Sequence, residues 1–293
     1  MYDICCVGHL TSDKVVTPGS VRHSPGGTAF YFSNAISKMD TRYILVTKIG
    51  ESEMPYVNDI RNRGVKVEVQ FSAHTVYFEN IYGDNPDQRT QNVLQTADPF
   101  TAAQLQDIDS GIFHLGPLLA GDIPVGLIKF LAAKGTVSLD AQGYLRKVID
   151  QKVYPANWPE KRGALQYVSI LKADEAELQA LTGINDPREG ATCLAGWGVK
   201  EVVVTNGSKG SFIYCGGKFC NIPAYRPKIV IDATGCGDTY MAGYLYRRIK
   251  GADVQQAGEF AAAMASLKME SPGAFNGTEA EVLQVLGKSD ILL

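Results

Sequence analysis

Short apolar runs rich in β-forming residues alternate with longer amphipathic stretches along most of this chain, and that alternation restricts the fold more than any other feature. The runs are Tyr2 to Val7, Tyr43 to Thr47, Gly111 to Leu115, Gly135 to Leu139, Tyr167 to Leu171 and Glu201 to Thr205, with helices expected between them. A strand that is apolar at consecutive positions is buried on both faces. Strands of that kind, joined by crossover helices, build a central and largely parallel sheet. The expected class is α/β in three layers. Two segments break the rhythm. Asp13 to His23 and Val65 to Leu94 carry strand-like stretches, including Thr75 to Tyr82 and Thr90 to Leu94, interrupted by the turn Gly83-Asp-Asn-Pro86. They predict either a small second sheet or an ordinary surface hairpin. No internal repeat or Pro/Ser-rich linker divides the chain, so residues 1–293 are expected to form a single domain.

Charge narrows the partners. With 28 Lys+Arg against 31 Asp+Glu, the chain lacks the positive excess that nucleic-acid or anionic-membrane binding demands, and a small-molecule partner is expected. The first residues carry no basic leader and no segment has the length of a membrane span, which predicts a soluble cytoplasmic protein. Six cysteines form no CxxC pair and read as reduced thiols. The four histidines, His9, His23, His74 and His114, show no paired ligand spacing and are expected to be structural.

The chemistry concentrates in Asp232-Ala-Thr-Gly-Cys-Gly-Asp238, which follows an expected strand, Lys228 to Ile231, and precedes a helix-like stretch. A helix N-terminus offers unpaired N–H donors and the positive end of the helix dipole, and glycine lets backbone approach an anion without a Cβ in the way. If the amides of Gly235, Cys236 and Gly237 face a phosphate, Asp238 is placed to take a proton from an attacking hydroxyl. The plainer alternative is a glycine-rich turn with Asp238 as a first-turn carboxylate. A thiol at Cys236, at a helix N-terminus, is expected to ionise readily.

The run DATGCGDTYMAG resembles the C-terminal signature of the PfkB, or ribokinase-like, carbohydrate kinases, with Ala233 and Cys236 as departures from the usual pattern. The resemblance implies a three-layer fold with a small β lid drawn from about residues 13–23 and 65–95, Asp238 as catalytic base, and an anion hole at Gly235, Cys236 and Gly237. Further motifs follow in family order. Asp13 with Gly26 and Gly27 resembles the substrate half, and the stretch GGTAFYFSN, with Tyr31 where many members have Asn and its own Asn at Asn34, is closer to the branch that includes plant inositol kinases. Asp140 and Gln142 follow an apolar strand, at the end where open α/β sheets place ligands. Asp174 and Glu177 resemble the family's Asn-x-x-Glu element, which organises magnesium and its waters. Read as residues alone, they are equally a helix N-cap and its capping-box partner. Thr205, Gly207 and Gly210 match a turn that faces the nucleotide, and Thr234 lies in the donor loop.

What the resemblance implies is ATP-dependent phosphorylation of a hydroxyl on a small sugar or polyol, with ATP and Mg2+, and with a monovalent cation such as K+ admitted near the Asp232 loop. A nucleoside kinase shares the chemistry, and Phe30, Tyr31 and Phe32 would supply stacking for a base. A non-catalytic sugar- or nucleotide-binding regulator is the alternative of another class, disfavoured because a pure binder has no need of Asp238. Exposed lid edges suggest a homodimer formed through the lid.

Overall fold

The computed structural model describes residues 1–82 and 89–287, so the turn expected at Gly83-Asp-Asn-Pro86 lies outside the described residues. The strands are β1 (Tyr2–Val7), β2 (Thr11–Thr17), β3 (Ser20–Gly26), β4 (Tyr43–Ile49), β5 (Lys66–Phe71), β6 (Val76–Tyr82), β7 (Arg89–Gln95) and β8 (Ser110–Leu115). They continue with β9 (Thr136–Asp140), β10 (Arg146–Ile149), β11 (Lys152–Pro155), β12 (Ile170–Asp174), β13 (Glu201–Thr205), β14 (Ser211–Cys215) and β15 (Lys218–Ile222).

Nine of them form one sheet in the order β15-β14-β13-β12-β9-β8-β1-β4-β5, parallel from β13 to β5. The reason is visible residue by residue. Ile4 and Cys6 of β1 join the core under the helices Gly27–Ile36, Cys236–Ile249 and Val254–Met269, whereas Cys5 and Val7 join a second core under Val125–Ala132 and Glu175–Thr182. Side chains of a strand alternate between faces, so a strand apolar at every position needs a helical layer on both sides. The antiparallel β14 and β15 close one edge through Gly216 and Gly217, both at positive φ, as a tight two-residue hairpin turn requires.

The second sheet has the order β10-β11-β7-β6-β2-β3. Its inner face packs Val76, Phe78 and Val93 against Leu118 and Leu119, which follow β8, so it covers the C-terminal end of the main sheet. Here the sequence-based boundaries need correction. Residues 66–71 are not part of the lid: β5 pairs in parallel with β4, from Ile44 opposite Lys66 to Ile49 opposite Phe71, and forms the far edge of the main sheet. Two short strands absent from the expectation, β10 and β11, extend the lid instead, joined by Asp150 and Gln151 at positive φ. Two strands expected near the site also differ from their expected bounds. β12 starts at Ile170 and runs on to Asp174, three residues later than Tyr167 to Leu171, because Tyr167 and Val168 are taken up by turn bonds to Ala164 and Leu165. Lys228 to Ile231 forms no strand. Ile229 and Val230 are exposed, and Ile231 instead donates to the Met269 carbonyl at the end of the Val254–Met269 helix.

The lid hands the chain to the main layer at Gly26 and Gly27. A Cβ on Gly26 would run into the Asp13 carboxylate, and Gly27 sits at φ +82° with room for no Cβ, since one would lie 2.6 Å from the His9 carbonyl oxygen. Gly27→Ala is therefore expected to destabilise the protein by about 1–3 kcal/mol, the usual cost of a non-glycine residue forced into such a conformation. Urea unfolding would measure it, and an unchanged midpoint would contradict this geometry.

Candidate active site

The Asp232–Asp238 turn is built from backbone. Asp232 Oδ1 accepts the Thr234 N–H at 2.9 Å, and Gly235 adopts φ +77° as the N-cap of the Cys236–Ile249 helix. The Tyr31 ring occupies the place where a Cβ on Gly235 would stand. Cys236 does not offer its amide as expected, because that N–H donates to the Ala233 carbonyl at 3.2 Å across the turn. Among the described residues, no acceptor meets the amides of Gly235, Gly237 or Asp238, so the open donors are these three. The expected readily ionised thiol is also corrected. Cys236 is half-buried, its Sγ lies 3.7 Å from the Ala265 carbonyl oxygen, and burial pushes its pKa up to about 11 in spite of the helix N-terminus.

Asp238 stands in the first helical turn, enclosed by protein yet with part of its surface still open. Burial is the main cause pushing its pKa up to about 7. The Asp140 carboxylate adds to the rise, while Lys172 and a hydrogen bond from the Thr28 hydroxyl oppose it. That value suits a base working near neutral pH. Thr28 follows the Gly26-Gly27 pair, so that turn and Asp238 are in direct contact.

Lys172 joins the remaining carboxylates. Its Nζ lies 3.1 Å from Asp140 Oδ2 and 3.7 Å from Glu177 Oε2, and it sits next to Gly237, 3.4 Å from where a Cβ there would be. Burial alone would favour the neutral amine, but Asp140, Glu177 and Asp238 outweigh it and hold Lys172 charged well above the usual lysine range. The strand register brings these groups together. Asp140 at the end of β9 lies opposite Lys172, and Asp174 at the end of β12 lies opposite Thr205 of β13.

Asp174 and Glu177 form a reciprocal cap, with Glu177 N–H donating to Asp174 Oδ1 at 2.7 Å and Asp174 N–H to Glu177 Oε2 at 2.8 Å. Burial raises the Glu177 pKa, with Lys172 opposing. Among the described residues no group of three or more His, Cys, Asp or Glu could hold a metal ion. With Asp174 Oδ1 and Glu177 Oε2 taken by backbone amides, the pair fits contact with a magnesium through water rather than direct ligation.

The other predicted residues divide between the two sides. Asp13 lies over Gly26 and accepts the Thr11 hydroxyl at 2.6 Å. Gln142 donates its amide N–H to Asp140 Oδ1 at 3.0 Å. Asn34 is buried and gives its side-chain amide to the Phe30 carbonyl one turn back, within its own helix. On the far side, Thr205 ends β13, and Gly207 and Gly210 hold the positive φ values of the turn that follows. A cavity of about 340 Å³ borders that turn, lined by Glu175, Asn206, Lys209 and Phe212 among others. Thr28 and Lys172 were not singled out from sequence. Nor were Asn80 and Gln91, which pair across β6 and β7 on the lid's inner face, Gln91 Nε2 donating to Asn80 Oδ1 at 2.9 Å. His9 and His114 are core residues, and burial depresses His114 to about 4. No helix among the described residues is long and apolar enough to cross a membrane.

The sequence pattern of the pfkB family carbohydrate kinases matches residues 1–281. The chain belongs to that family. A cytidine kinase of Thermococcus kodakarensis is 25% identical over 272 residues, covering 87% of this chain and 92% of the relative. An inositol 3-kinase of Arabidopsis thaliana is 26% identical over 277 residues, covering 92% and 74%. Among solved structures, a pyrophosphate-dependent kinase of the ribokinase family, complexed with a pyrophosphate analog and myo-inositol, superposes with a TM-score of 0.87 at 30% identity, covering 96% of this chain and 99% of that one. This PfkB kinase is thus a phosphotransferase acting on a hydroxyl of a sugar or polyol.

Asp238 sets an expected pH dependence. As pH falls through about 7 the carboxylate is protonated, so with Asp238 as the proton acceptor kcat/KM should decline along an acid limb with an apparent pKa of about 7. Lys172→Met removes a charge that lowers that pKa and should move the limb to higher pH. A profile that stays flat down to the ordinary aspartate value of 3.8 would contradict this assignment.

Proposed function

We propose that this kinase transfers the terminal phosphoryl group of ATP to a hydroxyl of a cyclic polyol of the inositol class, with Asp238 as general base. The observation that carries the proposal is the enclosed Asp238 carboxyl, with its pKa near neutrality, beside backbone amides that meet no acceptor among the described residues. Asp238 takes the proton of the acceptor hydroxyl as that oxygen attacks the terminal phosphorus. The bond from phosphorus to the bridging oxygen breaks, and ADP leaves with the electron pair. Amides at Gly235 and Gly237 stabilise charge on the transferred group, and Lys172 beside Gly237 adds a fixed positive charge. Asp174 and Glu177 would hold a magnesium ion through its waters, and such an ion would supply further neutralisation of the donor's charge.

Several observations support a polyol. Asp13 of β2 pairs in register with Phe78 of β6, which puts it on the face that also carries Asn80 and Gln91, a surface rich in hydrogen-bonding groups. Of the three aromatic residues that would stack on a base, Phe32 is in the core against His114 and Tyr31 covers Gly235. The inositol-binding neighbour and the inositol 3-kinase relative point the same way. A nucleoside acceptor is the second reading, favoured by the cytidine kinase. For the donor, the cavity beside the Thr205–Gly210 turn supports a nucleotide, whereas the pyrophosphate-dependent neighbour favours pyrophosphate. The lid shields the transfer from water. Six free cysteines support a reducing, cytoplasmic setting.

Product formation from ATP and from pyrophosphate, measured with inositols, pentoses, hexoses and nucleosides, tests this proposal. Phosphorylated inositol with stoichiometric ADP is expected. Turnover confined to nucleosides, or to pyrophosphate, would replace the acceptor or the donor. Asp238→Asn should keep the fold and lose roughly 10²- to 10⁴-fold in kcat. Full turnover in the folded variant would remove the base from its role. The lid edge strand β3, with Val21 57% exposed, supports a homodimer formed by edge pairing. Light scattering should then give twice the 31.7 kDa chain mass, and a monomeric mass would reject the dimer.

A further inference from the structure

The family resemblance admits a monovalent cation near the Asp232 loop, and the structure puts a side chain there. Lys268, in the last turn of the Val254–Met269 helix, is wholly buried. Its Nζ donates to the Asp232 carbonyl oxygen at 2.7 Å and lies 3.0 Å from Asp232 Oδ2. A carbonyl oxygen and a carboxylate oxygen of one residue, converging on one enclosed point, suit a compact cation. An ammonium is such a charge. The rest of Asp232 is engaged as well, because Oδ1 accepts Thr234 N–H and Oδ2 accepts Gly273 N–H at 3.2 Å. The turn that presents the open amides is thereby tied to the end of the helix. Ala265, three residues before Lys268, receives the Cys236 thiol contact on the same side. The oxygens that would hold a free ion are occupied, and the residues present do not fit K+.

We propose that the Lys268 ammonium is the built-in cation of the Asp232 turn, a positioning residue that makes phosphoryl transfer by this kinase independent of K+. The proposal rests on the kinase reading of the site. Lys268 touches neither donor nor acceptor in this account. It acts by fixing the backbone whose amides receive the phosphoryl group, and displacement of such groups by about 1 Å costs on the order of 100-fold in rate. A covalently attached cation is present at every salt composition, so no ion needs to bind before turnover.

The test compares turnover and melting temperature in choline chloride, sodium chloride, potassium chloride and ammonium chloride at equal ionic strength. Wild-type protein should turn over at the same rate and melt at the same temperature in all four. Saturable activation of the wild type by K+ overturns the proposal, and this arm needs no variant to fold. Lys268→Ala, which empties the ammonium position, should lose on the order of 100-fold in choline chloride. It should recover turnover, and gain in melting temperature, with K+ or NH4+. A folded Lys268→Ala protein with unchanged turnover, or one that no cation restores, also overturns it. Absence of turnover by the wild type in every salt, donor and acceptor would instead defeat the kinase assignment, and the cation dependence of the melting curves would then decide the role of Lys268 alone.

Discussion

One buried ammonium balances three carboxylates at the end of the sheet, and the site depends on that balance. Asp140, Glu177 and Asp238 all raise the pKa of Lys172, and Lys172 in turn keeps Asp238 from rising further than about 7. Without the cation, the carboxylates would press one another toward the neutral form and Asp238 would be protonated at neutral pH. Without the carboxylates, the cost of burying an ammonium would go unmet. The charge thus both compensates the burial of these carboxylates and sets the Asp238 pKa.

The fold brings these groups to one place through its parallel register. β9 ends on Asp140 and β12 carries Lys172 and Asp174. β13 ends on Thr205, and all three strands point the same way. From the other side, the Gly27–Ile36 helix brings Thr28 to Asp238 and Tyr31 to Gly235. Close approach at that junction needs glycine. Gly27 and Gly235 are both at positive φ, and both face groups that leave no space for a side chain. The Gly26-Gly27 turn and the Gly235–Asp238 turn therefore meet at backbone rather than across an open gap.

Much of this was legible in the sequence, and the gaps have physical causes. Strands buried on both faces announce themselves by unbroken apolar runs, so β1, β4, β8, β9 and β13 were found near their true positions. The turn around Gly235 and the carboxylate at Asp238 were readable because glycine spacing and a helix start are local signals. Lys172 was missed because a lysine after Leu171 reads as the end of a strand, yet β12 continues through it and tertiary ion pairs stabilise it there. Lys268 was missed for the same reason, as a lone charge after the apolar run Phe260 to Leu267. Lys228 to Ile231 has strand-like composition but finds no strand to pair with, and composition alone cannot report that. The spent amide of Cys236 is likewise set by local turn geometry, not by residue type.

The central claim is that enclosure and neighbouring charge lift the Asp238 carboxyl into the neutral range. Carbon-detected NMR titration of the aspartate carboxyl groups, with Asp238→Asn used to assign the signal, measures this at the atom concerned. The Asp238 resonance should titrate at about 7 in the free enzyme. Titration at the ordinary aspartate value of 3.8 would contradict it.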